Sequence, residues 1–302
     1  MVNFRTDLAS EANELWRESA AETDSLPGVE TKNESVGGCS VEHIRIRDER
    51  GAEALGKPVG NYISITLPKS DYESAAEDKA AVLLSRKLRE LLRLAPKDSV
   101  LVAGLGNRAI TPDNLGPLSL ARTLITRHLV CAMPEKFGEL RPVMGLETGV
   151  AGTTGVESGE HIRAFVRQFQ PKAVIVVDAL ASRKLRRLCR TIQISDTGII
   201  PGSGVGNARE AITEAELGIP VIAIGIPTVV DAAILTADLM ERSGMGEQIP
   251  EAFREAGEGM IVTPREIDSC METLSRMIGL GITLALQDGM KTEEAKAIIF
   301  HS

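Results

Sequence analysis

Apolar and polar positions along the 302-residue chain follow two different periods. From Arg5 to about Ala21, Leu8, Ala12, Leu15 and Trp16 form one stripe at helical spacing, and Ala75–Leu94 continues the pattern as a longer amphipathic helix. Between them, Val41–Arg47 and Asn61–Leu67 alternate as half-buried strands do, predicting an antiparallel pair at one edge of a sheet. Thr23–Gly38, rich in Gly, Ser, Asn and charge, reads as a loop. From Ser99 the pattern becomes short, continuous apolar runs at Ser99–Ala103, Val143–Leu146, Ala173–Val177, Thr191–Ile194 and Val221–Ile224. Helical patterns separate them near Leu115–Ile125, Gly159–Gln168, Ala179–Leu188 and Asp231–Arg242. This alternation predicts a three-layer α/β fold, a mostly parallel sheet covered by helices on both faces with a small antiparallel edge element. A short extended piece at Glu258–Thr263 precedes a long apolar helix, Arg265–Leu286, and a last helix, Thr292–Phe300.

Composition narrows the function more than the fold. With 43% hydrophobic residues the chain can bury one large core, and a single α/β domain is expected, residues 8–70 supplying the first helix and edge strands and 71–302 the core. A formal charge of -8 argues against a direct grip on nucleic acid, which needs a cationic face. Cys39, Cys131, Cys189 and Cys270 lie far apart without CxxC spacing, the pattern of reduced thiols in a cytoplasmic protein. No apolar signal core and no run of membrane-spanning length appears, so a soluble protein without a membrane partner is expected. The four histidines show no metal-ligand spacing, so no metal and no cofactor are expected; His128, just after the Leu115–Ile125 pattern, is the one placed to reach a cleft.

The candidate chemistry is carried by two aspartates. Gly104-Leu105-Gly106-Asn107-Arg108-Ala109-Ile110-Thr111-Pro112-Asp113 is a glycine-rich turn that follows an apolar strand and delivers Asp113, with Gly104, Gly106 and Asn107 shaping the turn. Asp178 ends the apolar run Ala173–Val177. Each aspartate alone also fits a helix N-cap. Both fall at the carboxyl ends of neighbouring strands, where two carboxylates converging on a water can divide the roles of acid and base. Pro201-Gly202-Ser203-Gly204-Val205-Gly206-Asn207 superficially resembles a nucleotide loop but lacks its acidic partner; Ser203 and Gly204 are read as a cleft wall or an oxyanion-stabilising turn. Asp231 is expected to cap a helix, and Arg183-Lys184-Leu185-Arg186-Arg187 to form a solvated helix face or a subunit contact. Two rival readings stand beside the carboxylate pair: a metal-assisted endopeptidase using Asp113 and Asp178, with or without His128, as ligands, and a nucleotide-binding module using Gly202 to Asn207.

The segments GLGNRAITPDNLGP (104–117), ITRHL (125–129), VVDALASR (176–183), TIQISDTGIIPGSGVGN (191–207) and LGIPVIAIGIPTVVDA (217–232) closely resemble the germination protease family of spore-forming bacteria, a likeness extending from Arg5 to about Leu286. The resemblance implies an atypical aspartic endopeptidase, made as a zymogen, that degrades small acid-soluble spore proteins in the forespore or spore core. It implies a homotetramer and a fold similar to hydrogenase-maturation endopeptidases, with the family's two aspartates matching Asp113 and Asp178. Thr6-Asp7-Leu8-Ala9-Ser10-Glu11 also looks like the Thr-Glu-Phe/Ile-Ala-Ser-Glu site at which the family cuts its substrates. That copy implies a pro-peptide of residues 1–7 and self-cleavage between Asp7 and Leu8. The sequence departs from the family in the short segment before that bond and in an abbreviated stretch at 240–262.

Overall fold

The computed structural model of the chain describes residues 6–19, 26–68, 74–206, 208–243 and 260–300. Among these, nine strands share one sheet: β1 (Val29–Val36), β2 (Cys39–Ile46), β3 (Gly60–Thr66), β4 (Val100–Leu105), β5 (Val143–Gly149), β6 (Ala173–Ala181), β7 (Thr191–Ser195), β8 (Val221–Asp231) and β9 (Ile261–Val262). Their order is β1-β2-β3-β7-β8-β6-β4-β5, with β9 added to β8. The strands β5, β4, β6 and β8 run parallel, as the buried apolar runs predict. The antiparallel element is larger than an edge pair, because β7 opposes both β8 and β3, and β2 and β1 continue outward from β3.

Alternation along the strands builds the layers. On β4, Val100 and Val102 enter one core while Leu101, Ala103 and Leu105 enter another, and β6 divides Ile175 and Val177 from Val174 and Val176 in the same way. The first face carries one continuous core, covered by α3 (Ser74–Leu91), α4 (Leu115–Ala121), α11 (Ile267–Leu286) and α12 (Thr292–Phe300). On the second face the core is split. Over the parallel strands α8 (Ser158–Phe169) packs Ile162, Phe165 and Val166. Over the antiparallel wing α1 (Ala9–Ser19) and α2 (Glu49–Leu55) pack Ala9, Ala12 and Leu55 against Ile44, Ile46 and Tyr62. Between these two cores a row of Ser64, Gln193, Gly225 and Asp178 crosses four strands in register. A row without large apolar groups cannot hold a helix by burial, and the trough it leaves is where the candidate site lies.

Several expectations are corrected. The segment read as a loop contains β1, a polar strand whose only apolar residues are Val29 and Val36; an edge strand exposed on both sides carries no alternation to read. Ala179–Leu188 is not a helix, since β6 keeps its pairing with β8 as far as Ala181 and only a single 3₁₀ turn forms at Leu185–Arg187. The strand at Val221 runs on to Asp231, and the helix at Leu115 ends at Ala121. Asp231 accepts hydrogen bonds from the N–H groups of Ala233 (2.8 Å) and Ile234 (3.2 Å), capping α10 (Ala232–Arg242). The abbreviated stretch falls mostly on 244–259, outside the described residues, as do residues 1–5 of the expected pro-peptide. No helix among the described residues is long and apolar enough to cross a membrane.

Candidate active site

Asp113 is placed by backbone contacts that only glycine permits. Gly104 faces the start of α4, where a Cβ would lie 2.5 Å from the Gly116 carbonyl oxygen, so strand and helix meet backbone to backbone. Gly106 has φ +103°, and a Cβ there would lie 2.0 Å from the Asp113 carbonyl oxygen. This closed turn lets the Asn107 N–H donate to both the Asp113 carbonyl (3.0 Å) and its carboxylate (2.9 Å). The Thr111–Asp113 turn is tied to β8 by the Thr228 hydroxyl, which donates to the Pro112 carbonyl at 2.7 Å. The N-cap position of α4 is Asn114 rather than Asp113, so the ordinary capping role does not hold the Asp113 carboxylate.

Asp178 lies inside β6, 6% exposed, opposite Gly225 in the polar row. Its carboxylate accepts the N–H of Ala179 at 2.9 Å, and because the strand continues it caps no helix. Burial, then the negative charges of Asp113 and Asp7, raise its pKa well above the ordinary aspartate range. Burial also raises Asp113, but the Asn107 N–H and the Arg209 guanidinium oppose the shift by favouring the ionised form. Of the two, Asp178 is pushed further toward its protonated form, being the more buried group with two carboxylates facing it. Both aspartates line one cavity of ≈ 420 Å³ with Gly106, Ala181, Thr228 and Asp7, beneath apolar walls that include Ile110, Val150, Ile199, Ile200 and Ile261.

The N-terminal segment runs into this cavity. Asp7 lies alongside the last residue of β6, its N–H donating to the Ala181 carbonyl (3.3 Å) while its carboxylate accepts the Ala181 N–H (2.9 Å) and the Ser203 hydroxyl (2.7 Å). Gly204 closes over that carboxylate, and a Cβ on it would lie 2.1 Å from Asp7 Oδ2. Gln193, from the polar row, brackets Leu8. Its Nε2 donates to the Asp7 carbonyl (3.0 Å) and its Oε1 accepts the Ala9 N–H (2.7 Å), with Leu8 fully buried between. Lys57 donates to the Thr6 carbonyl at 2.8 Å; burial lowers its pKa against the opposing pull of Asp7 and Glu11.

Residues 7–244 match the Peptidase_A25 family, described as germination protease. The chain belongs to the germination protease family. Similar curated relatives include the germination proteases of Caldanaerobacter subterraneus subsp. tengcongensis, 41% identical with 99% of both chains covered, and of Clostridium tetani, 37% identical over 99% of this chain and 100% of that one. The germination protease of a Geobacillus species is 42% identical, with 95% of each covered. Among solved structures, the [NiFe] hydrogenase maturation protease HycI from Thermococcus kodakarensis KOD1 aligns at 18% identity and a TM-score of 0.36, over 65% of this chain and 98% of that one, a likeness too slight to carry an argument.

In this germination-protease chain Asp113, Asp178, Asp7, Leu8, Gly106, Asn107, Ser203 and Gly204 gather in one region, while Gly104 acts from behind it by admitting α4. His128 does not join them. It is exposed on α5 (Arg127–Ala132), away from the cavity lining, so it is not placed to join Asp113 and Asp178 as a metal ligand. Among the described residues no group of three or more His, Cys, Asp or Glu is arranged to hold a metal ion. The basic run Arg183–Arg187 is neither a helix face nor solvated throughout: Arg183, Lys184 and Arg187 are buried against α1. Sequence reasoning missed Gln193, Ala181 and Thr228. A glutamine inside the apolar run Thr191–Ile194 was the available signal for the first, since a polar side chain in a buried strand needs partners.

Proposed function

We propose that this chain is an endopeptidase of the aspartic type that cleaves its own Asp7–Leu8 bond and then the matching bonds of small acid-soluble spore proteins, with residues 1–7 as its pro-peptide. The observation that carries the reading is that Asp7, Asp113 and Asp178 line one cavity while Gln193 grips the peptide on both sides of Leu8.

In the proposed reaction Asp113, whose ionised form the Asn107 N–H and Arg209 favour against the cost of burial, takes a proton from a water, and the resulting hydroxide adds to the Asp7 carbonyl carbon. Asp178, already protonated, donates to the carbonyl oxygen as charge develops there, and the Gln193 amide donates a second hydrogen bond to the same oxygen. Collapse of the tetrahedral species breaks the C–N bond; the proton collected by Asp113 passes to the Leu8 nitrogen, and Asp178 recovers its own. The products are the Asp7 α-carboxylate and a free Leu8 amine. Protonation of Asp178 also relieves its repulsion with the Asp7 side chain, which the N–H of Ala181 and the hydroxyl of Ser203 hold nearby.

The test is mass spectrometry of the N-terminus, together with cleavage of a peptide containing TEFASE, for the wild-type, Asp113→Asn and Asp178→Asn chains. Both variants are expected to fold and to lose cleavage by about 10²–10⁴-fold, the range for losing a general acid or base. Near-wild-type turnover in either removes the assigned roles. Loss of wild-type activity with EDTA and rescue by a divalent ion would favour the metal-assisted reading.

A further inference from the structure

Beyond the scissile bond, Glu11 is fully buried, yet its carboxylate is completely partnered. Oε2 accepts the Arg183 N–H (2.8 Å) and Oε1 the Lys184 N–H (2.9 Å); the Thr6 hydroxyl also donates to it, and the Arg187 guanidinium lies 3.7 Å away. Two successive N–H groups leaving the end of a strand, backed by a buried arginine, make an anion-binding nest. Farther along α1, Glu14 pairs with Lys184, Arg186 and Arg187, and Glu18 with Lys184 and Arg183. Burial pushes the Glu14 pKa up, but Arg187, Lys184 and Arg186 together bring it below the ordinary range.

We infer that the N–H groups of Arg183 and Lys184, with the Arg187 guanidinium, form a recognition site for a substrate carboxylate four residues beyond the cleaved bond, and that α1 occupies it in competition with peptides acted on in trans. The inference rests on reading Asp7–Leu8 as a substrate bond. Asp7 and Glu11 are then the two acidic anchors of one bound peptide, the first held by Ala181 and Ser203, the second by the nest. Cutting the bond removes residues 1–7 but leaves α1 joined through residues 20–28 to β1. A ligand tethered in this way competes at an effective concentration on the order of millimolar, so cleavage alone does not empty the site. The ligand class is an acidic peptide in extended-to-helical form, as residues 6–11 are.

The chain carries one tryptophan, Trp16 on α1, packed against the core beneath that helix, so its emission reports whether α1 is docked. The test uses the full chain and tryptophan-free 12-residue peptides carrying Thr-Asp-Leu-Ala-Ser-Glu or the same sequence with glutamine as the sixth residue. In an Asp113→Asn chain, which leaves the peptide intact, the glutamate peptide is expected to red-shift Trp16 emission to saturation. The glutamine peptide should need about tenfold more, the value of one charge-assisted hydrogen bond. In the active chain, Glu11→Gln is expected to slow self-cleavage and yet lower KM for the trans peptide. Glu18→Gln, on the exposed part of α1, should lower the trans KM and leave the nest intact, and it serves if Glu11→Gln does not fold. Arg187→Gln should collapse the preference for glutamate over glutamine. Equal half-saturation for the two peptides, or Trp16 emission unmoved at saturation, overturns the inference even if the Asp–Leu bond is cut. Absence of any Asp–Leu cleavage together with selective Trp16 release would instead sink the protease reading and keep the site.

Discussion

Gly204→Ala isolates the acid that precedes the proposed scissile bond. The residue sits in a 3₁₀ turn at Ser203–Val205 and is not among the glycines with positive φ, so alanine fits its backbone. The new Cβ would nevertheless lie 2.1 Å from Asp7 Oδ2 and 2.6 Å from Cγ, and the Asp7 carboxylate must leave its pocket. It then loses the Ser203 hydroxyl at 2.7 Å and the Ala181 N–H at 2.9 Å. Hydrogen bonds to a charged group contribute about 1.5–3 kcal/mol each, so two at the lower figure come to about 3 kcal/mol, or about 150-fold in rate. Ser203→Ala removes one of them and should slow the reaction about tenfold. The assay is a time course of the N-terminal fragment by mass spectrometry, with thermal melts confirming that each variant folds. Pairing Gly204→Ala with Asp7→Asn should add little to either alone, because both empty the same pocket. A Gly204→Ala chain that self-cleaves at the wild-type rate refutes the assignment of this pocket.

The other predictions concern the carboxylate pair and its loop. Because Asp178 has a raised pKa when folded, the native state binds more protons than the unfolded chain, and its contribution to stability is greatest below the ordinary aspartate pKa of 3.8 and declines as pH rises through the raised value. Asp178→Asn should therefore melt above wild type at pH 8, with the gap closing toward pH 4 in calorimetry; a gap that widens on acidification contradicts this. Peptide cleavage should follow a bell-shaped pH profile, lost in acid as Asp113 takes up a proton and lost in alkali as Asp178 gives its proton up, and the residual activity of Asp178→Asn should lack the alkaline limb. Gly106→Ala, at φ +103° and against the Asp113 carbonyl, should cost at least about 1 kcal/mol of stability and most of the activity, measured by denaturant melts and peptide turnover.

The local chemistry was legible in the sequence because it depends on neighbours along the chain. Gly104, Gly106 and the turn to Asp113 announce a strand whose end must pass close to other backbone, and the apolar run before Asp178 announces a carboxylate carried into a buried strand. The parallel order of β5, β4, β6 and β8 follows from buried strands alternating with helices. What the sequence left open was every decision made across the sheet. The polar strand β1 shows no period because neither of its sides is buried, and the stretch after Asp178 reads as a helix although pairing with β8 imposes a strand on it. The basic run at Arg183–Arg187 looks solvated until Glu11, Glu14 and Glu18 arrive from more than 160 residues away. Propensity and periodicity report what a residue meets within a few positions; the gathering of Asp7, Asp113 and Asp178 in one trough, with Gln193 across the peptide bond, is fixed by register between strands distant in sequence, and only the folded chain brings them together.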